Sequence, residues 1–132
     1  MTNHRVDVAL GDRSYSVLVG HGVINQLEEF LPKSAKRAVV ITQNKIALQP
    51  ELKIPSTTVV IGDGEEHKSL QTIEMLAQKF AEFGLTRNDV VIGVGGGMVT
   101  DIAGFAAASW HRGTPVVHVA TSLVGMVDAA IG

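Results

Sequence analysis

Residues 90–110 read VVIGVGGGMVTDIAGFAAASW. The run opens as Val90 to Val94, apolar and β-branched, the signature of a strand buried on both faces. Gly95-Gly96-Gly97 then breaks it. From Gly97 to Trp110 the pattern is helical and carries a single charge, Asp101. A helix with almost no polar face is expected to be buried all round. A strand, a glycine turn and a helix in that order form the first part of a βαβ unit.

The rhythm repeats on either side. Ala38–Ile41, Thr57–Ile61 and Val116–Val119 read as further short strands. Ser69 is placed as the N-cap of a helix running to Phe83, with Thr72, Ile73, Leu76, Phe80 and Phe83 on or near one face and Gly84 as its C-cap. Asn44–Leu48 reads as a short helix ended by Pro50, and Ser122–Ala130 as a final helix. Upstream, Val23–Leu31 carries a helical stripe closed by Pro32. Before it, Arg5–Leu10 and Tyr15–Val19 alternate around the turn Gly11-Asp12-Arg13-Ser14, a β-hairpin pattern. The expected fold is therefore α/β: a Rossmann-like, mostly parallel sheet with helices on both faces, preceded by an N-terminal β-hairpin.

Composition narrows the function classes. The 132 residues are 45% apolar, with a formal charge of −2 and no cysteine. That is one globular domain, with no disulfide framework or thiolate metal site. No basic run exceeds Lys36-Arg37, so no nucleic-acid partner is expected. Met1 to Gly11 lacks the apolar core of a signal peptide. Apolar stretches stop well short of the ~20 residues that span a membrane. A cytoplasmic protein is expected. The chain stops at Asp128-Ala129-Ala130-Ile131-Gly132, within a helical pattern. Domains seldom end on an apolar run, so residues 1–132 are expected to be part of a longer protein.

In open α/β sheets, ligands bind beyond the carboxyl ends of the strands. Four loops open there: Thr42-Gln43-Asn44, Asp63-Gly64-Glu65-Glu66-His67-Lys68, Gly95-Gly96-Gly97 and Ala120-Thr121-Ser122. The glycines permit either a bland tight turn or close approach of a pyrophosphate to the free N–H groups of the following helix. A dinucleotide fingerprint would place glycine at position 100, where Thr100 stands, and no P-loop lysine follows. Asp101 in the first helical turn is favoured by the helix dipole; it can equally accept hydrogen bonds from ligand hydroxyls or an amide. The acids of the 63–68 loop suit a solvated loop, or a ribose held so that a 2′-phosphate is repelled, NAD over NADP. Asp128, one charge in an apolar segment, needs a partner or a substrate. His4, His21, His67, His111 and His118 lack metal-ligand spacing.

Taken together, Gly95-Gly96-Gly97-Met98-Val99-Thr100-Asp101 running on to Ala108, then Arg112-Gly113, Ala120-Thr121-Ser122-Leu123 and Val127-Asp128-Ala129-Ala130-Ile131-Gly132, resemble 3-dehydroquinate synthase, and Asp63 to Ser69 is similar to the same family's second loop. The resemblance implies the N-terminal NAD-binding domain of a two-domain lyase of the sugar-phosphate cyclase superfamily. That enzyme converts 3-deoxy-D-arabino-heptulosonate 7-phosphate to 3-dehydroquinate plus phosphate, in the shikimate pathway of aromatic amino acid biosynthesis. Its cofactors are NAD and a divalent metal, zinc or cobalt.

By position, the resemblance assigns Asp63, Gly64, Glu65, Glu66, His67 and Lys68 to the adenosine ribose, and Thr42 and Gln43 to the adenine loop. Gly95, Gly96, Gly97, Met98, Val99, Thr100 and Asp101 go to the pyrophosphate and its surroundings, and Thr121 and Ser122 to the nicotinamide half. Asp128 matches a substrate-contacting aspartate. Arg112 matches an arginine that reaches the substrate phosphate of a neighbouring subunit, which implies a homodimer. The family's metal ligands fall downstream, so this chain alone is expected to bind no catalytic metal and to be inactive.

Thr100 and Ser122 depart from the family pattern, and Thr100 is expected to narrow the fit to the cofactor. The alternatives are another sugar-phosphate cyclase making a cyclitol, and a stand-alone non-catalytic nucleotide-binding module. Iron-type alcohol and glycerol dehydrogenases share the glycine–aspartate loop, but Ala103-Gly104-Phe105 and Thr121-Ser122-Leu123-Val124-Gly125 do not fit them.

Overall fold

The computed structural model describes residues 3–131; Gly132, the last residue of the final motif, lies outside them. The strands are β1 (His4–Val8), β2 (Tyr15–Val19), β3 (Ala38–Thr42), β4 (Ser56–Val60), β5 (Val90–Gly95) and β6 (Val116–Ala120). The α-helices are α1 (Leu70–Phe83) and α2 (Gly97–Ser109). β1 and β2 form the expected antiparallel hairpin, in register from His4↔Val19 to Val8↔Tyr15. The other four strands form one parallel sheet in the order β4-β3-β5-β6.

That order contains a reversal. From β3 the chain moves outward to β4, then returns across β3 and continues on its other side with β5 and β6. Right-handed crossovers moving in opposite directions place their connections on opposite faces. The core shows this. Val39, Ile41 and Val91 point to the face covered by Leu76 and Phe80 of α1 and by Val99, Ile102 and Ala106 of α2. Ala38, Val40, Val90, Ile92 and Val94 point to the other face, over Leu27 of the 3-10 helix Val23–Phe30 and over Ile46, Leu52 and Ile54 of the β3–β4 connection. The sheet is thus covered on both faces, with both α-helices on one side and the 3-10 helix on the other.

α1 begins and ends as its sequence dictates. Ser69 Oγ accepts from Thr72 N at 3.3 Å. Gly84 closes the helix in the left-handed region, φ 75°, where a side chain would be strained. Asp89 joins two segments. Its carboxylate accepts from the backbone N–H groups of Lys36 at 2.9 Å, Arg37 at 3.1 Å and Thr86 at 2.8 Å.

Two local expectations are corrected, and the expected last helix forms with a change of type. Asn44–Leu48 forms a turn closed by Ile46 N to Gln43 O, 3.0 Å, and no helix. Five residues before a proline make too few hydrogen bonds to offset helix nucleation. The last segment opens with an α-type bond, Met126 N to Ser122 O, and then widens into a π-helical turn, Gly125–Ala129. Finally, α2 is not buried all round: Phe105 is 55% exposed, and Asp101 and Ala108 are also on the surface. Among the described residues, part of its apolar outer face stays open to solvent.

Candidate cofactor-binding site

The reversal in strand order lies between β3 and β5, so the crevice beyond their carboxyl ends is the ligand position for a sheet of this topology. Its floor is braced by the last residue of β3 and the first residue of the loop that follows. Thr42 Oγ1 donates to Val94 O at 2.9 Å, and Gln43 Nε2 donates to Gly62 O at 3.1 Å. Both side chains are buried. They tie the ends of β3, β4 and β5 together.

The glycine turn lies beside them. At Gly95 a Cβ would come within 2.6 Å of Val99 Cγ2, so glycine there lets α2 sit tightly on the end of β5. Gly96 is the extended N-cap of α2, with no side-chain cap. Thr100 N makes the first α-type bond, to Gly96 O at 3.1 Å, which leaves the preceding N–H groups of Gly97, Met98 and Val99 without intrahelical acceptors. Thr100 itself is fully buried, and its hydroxyl donates to Gly96 O and Gly97 O at 3.2 and 3.1 Å. Its bulk is turned into the protein, away from the open crevice.

The β6 loop converges on the same point. Thr121 N donates to Gly95 O at 2.8 Å. Ser122 Oγ accepts from Gly125 N at 3.1 Å and lies 3.2 Å from where a Cβ on Gly96 would stand. A Cβ at Gly97 would meet Val124 Cγ1 at 3.4 Å, an ordinary contact. These glycines keep the cradle at the start of α2 open, and its N–H groups and dipole fit a phosphate or pyrophosphate.

Opposite the cradle, residues 65–67 form a 3-10 turn. Glu65, Glu66, His67 and Lys68 are exposed, and the His67 ring covers Gly62. Asp63 is exposed and Gly64 half-buried. Lys68 Nζ lies 2.9 Å from Asp101 Oδ2 and bridges this loop to α2. The hydrogen bond and charge of Asp101 raise the Lys68 ammonium above its ordinary range, with smaller contributions from Glu65 and Asp128. Asp128, exposed on the π-turn, therefore belongs to the same electrostatic cluster.

Arg112 does not join it. α2 carries the chain away from the crevice, and Arg112 lies eleven residues beyond Asp101, about 16 Å at the helical rise. It sits just before the amino end of β6, in left-handed backbone, φ 65°, next to His111 at φ 49°. Among the described residues, no group of three or more His, Asp or Glu side chains is placed to hold a metal ion. No helix there is long and apolar enough to cross a membrane.

One residue near the site was not singled out by sequence reasoning. His118, on β6, has its Nδ1 buried with no hydrogen-bond partner among the described residues. The available signal was a lone titratable side chain inside the apolar strand Val116–Ala120.

The family model for 3-dehydroquinate synthase N-terminal matches residues 58–132. The chain belongs to the 3-dehydroquinate synthase N-terminal family. That span takes in the acidic loop, the glycine cradle, Asp101 and Asp128. Among family relatives, a protein of Amycolatopsis mediterranei (strain S699) named "Putative aminodehydroquinate synthase" is 46% identical over 96% of this chain and 36% of its own length. The 3-dehydroquinate synthase of Arthrobacter sp. (strain FB24) is 42% identical over 90% of this chain and 35% of its own. The chain therefore spans about a third of the length of these relatives. Among solved structures, ValA, the 2-epi-5-epi-valiolone synthase of Streptomyces hygroscopicus subsp. jinggangensis 5008 with NAD+ and Zn2+ bound, superposes with a TM-score of 0.73 at 29% identity, over 95% of this chain and 37% of that one.

Proposed function

We propose that this chain is the NAD-binding part of a 3-dehydroquinate synthase, acting in the NAD- and metal-dependent conversion of 3-deoxy-D-arabino-heptulosonate 7-phosphate to 3-dehydroquinate and phosphate. The observation that carries the reading is the uncapped start of α2 at the strand-order reversal, with Lys68 of the β4 loop reaching across to pair with Asp101 of α2. Bound NAD would supply reversible oxidation of a substrate hydroxyl. The N–H groups of Gly97, Met98 and Val99 hold the pyrophosphate. Glu65 and Glu66 accept from the adenosine ribose and disfavour a 2′-phosphate. Lys68 and Asp101 orient neighbouring polar groups, Thr121 and Ser122 border the nicotinamide half, and Thr42 and Gln43 brace the floor. Asp128 faces the substrate.

Arg112, remote from the crevice of its own chain, serves the substrate phosphate of a second subunit, which makes the enzyme a homodimer. The divalent metal, zinc or cobalt, is held by residues beyond this chain. The exposed apolar side chains Phe105, Leu123, Val124, Met126 and Val127 form the surface that the second domain covers. A cytoplasmic site of action, in aromatic amino acid biosynthesis, completes the reading.

Calorimetric titration of the chain with NAD, and with NADP as control, tests it. Saturable binding of NAD, with NADP weaker, is expected. A folded chain that binds neither overturns the assignment of these loops as a self-sufficient cofactor site. A second reading, another sugar-phosphate cyclase, is favoured by the name of the Amycolatopsis relative and by the likeness to ValA. Turnover of the complete protein with the heptulosonate phosphate separates the two.

A further inference from the structure

The half-buried His118 ring lies at ordinary packing distance from two glycines, Gly93 of β5 and Gly104 of α2. A Cβ on Gly93 would stand 3.6 Å from His118 Nδ1, and one on Gly104 would stand 3.6 Å from Cε1 and 3.7 Å from Nε2. Gly104 is three residues along α2 from Asp101, so the two occupy adjacent positions on the helix surface. Nδ1 is buried and has no partner among the described residues. Asp101 is the only charged side chain of α2, and neither β5 nor β6 carries a titratable group besides His118. Asp101 is itself held from the other side by Lys68.

We propose that His118 is a positioning residue for Asp101: neutral, it leaves the carboxylate to Lys68 and the cofactor, and protonated, it becomes a second cation that competes with Lys68 for Asp101. Burial pushes the imidazole below its ordinary value of 6.5, and the Asp101 charge pulls it back up. The ring is therefore neutral at pH 7, and its protonation on the acid side loads positive charge beneath the first turns of α2. The consequence for cofactor binding rests on the reading of Asp101 as a cofactor contact; the coupling between the two side chains does not.

Histidine-ring NMR of the whole chain, titrated from about pH 8 to pH 5 across the ordinary imidazole range, tests the coupling. His118 should titrate below 6.5. Asp101→Asn should lower its midpoint further, because the attracting charge is gone. Lys68→Met should raise it, because Asp101 is then freed for the ring; this exposed substitution keeps the test available if Asp101→Asn fails to fold. A midpoint indifferent to both substitutions overturns the proposal. A residue acting only as packing would not respond to either. Calorimetry of NAD binding over the same range supplies the second readout. Affinity should fall as His118 protonates, and His118→Gln should remove that part of the pH profile. An unchanged profile in His118→Gln overturns the positioning role. Absence of NAD binding at every pH instead overturns the cofactor reading, while the ring titration still decides the coupling.

Discussion

Lys68 Nζ and Asp101 Oδ2 lie 2.9 Å apart, 33 residues apart in sequence, and join the loop after β4 to the second turn of α2. Both side chains are nearly half exposed, 45% and 43%. Such pairs contribute about 0–1 kcal/mol to stability. Lys68→Met should therefore leave the urea midpoint nearly unchanged. If the pair orients the cofactor, the same substitution should weaken NAD by about tenfold, the loss of roughly 1.4 kcal/mol. Denaturation and calorimetry on one preparation check both. A large loss of stability would make the pair structural.

Gly93 and Gly97 should behave oppositely. A Cβ on Gly93 would come 2.7 Å from Ala103 Cβ, with both elements packed and neither side chain able to move aside. Gly93→Ala should cost about 1–3 kcal/mol through overpacking. At Gly97 the added Cβ finds only an ordinary 3.4 Å contact with Val124. Gly97→Ala should fold normally, yet bind NAD more weakly because the methyl enters the cradle. Thermal unfolding and NAD titration of the two variants separate packing from ligand clearance.

Asp89 should govern acid stability. Burial raises its carboxyl, but hydrogen bonds from the Thr86 backbone, Lys36, the Thr86 hydroxyl and Arg37 outweigh that, and the net shift is below 3.8. A folded-state value lowered in this way contributes stability above pH 3.8 that is lost as pH falls through the folded value. Asp89→Ala should cost about 1–3 kcal/mol, since it removes the shared acceptor of three backbone N–H groups, and should flatten the acid limb of the stability profile. Chemical denaturation between neutral pH and the onset of acid unfolding measures both effects.

Arg112 holds a left-handed backbone next to another left-handed residue, His111. Non-glycine residues occupy that region at a cost of about 1–2 kcal/mol each. Arg112→Gly should raise the melting temperature of this chain and leave NAD affinity unchanged, because the residue is remote from the crevice. In the complete protein the same change should weaken use of the phosphorylated substrate. A fall in NAD affinity in the isolated chain would place Arg112 in the wrong site.

Much of this was legible from local patterns. Val90–Val94, Ser69 with Thr72, and Gly84 each announce their own structure, because burial, capping and left-handed backbone depend on neighbours in sequence. The 44–48 segment misled because five residues ended by a proline are too short to offset the cost of helix nucleation. α2 misled differently. An apolar face states that something is meant to cover it, and says nothing of whether the covering surface belongs to this chain. The role of Thr100 also escaped the pattern: its side chain was expected near the ligand, and its hydroxyl turned back onto Gly96 and Gly97.

By itself, the sequence determined the alternation of strands and helices, the glycine cradle and the family, since these are written in residue type and spacing. Tertiary structure alone decided the strand order β4-β3-β5-β6 and with it the crevice between β3 and β5. It also decided the pairing of Lys68 with Asp101, the separation of Arg112 from them, and the packing of His118 against Gly93 and Gly104. The physical reason is the same in each case. Sequence periodicity specifies which face of an element is buried, whereas contacts between residues far apart in the chain arise only when the crossovers have chosen a face and the elements have packed.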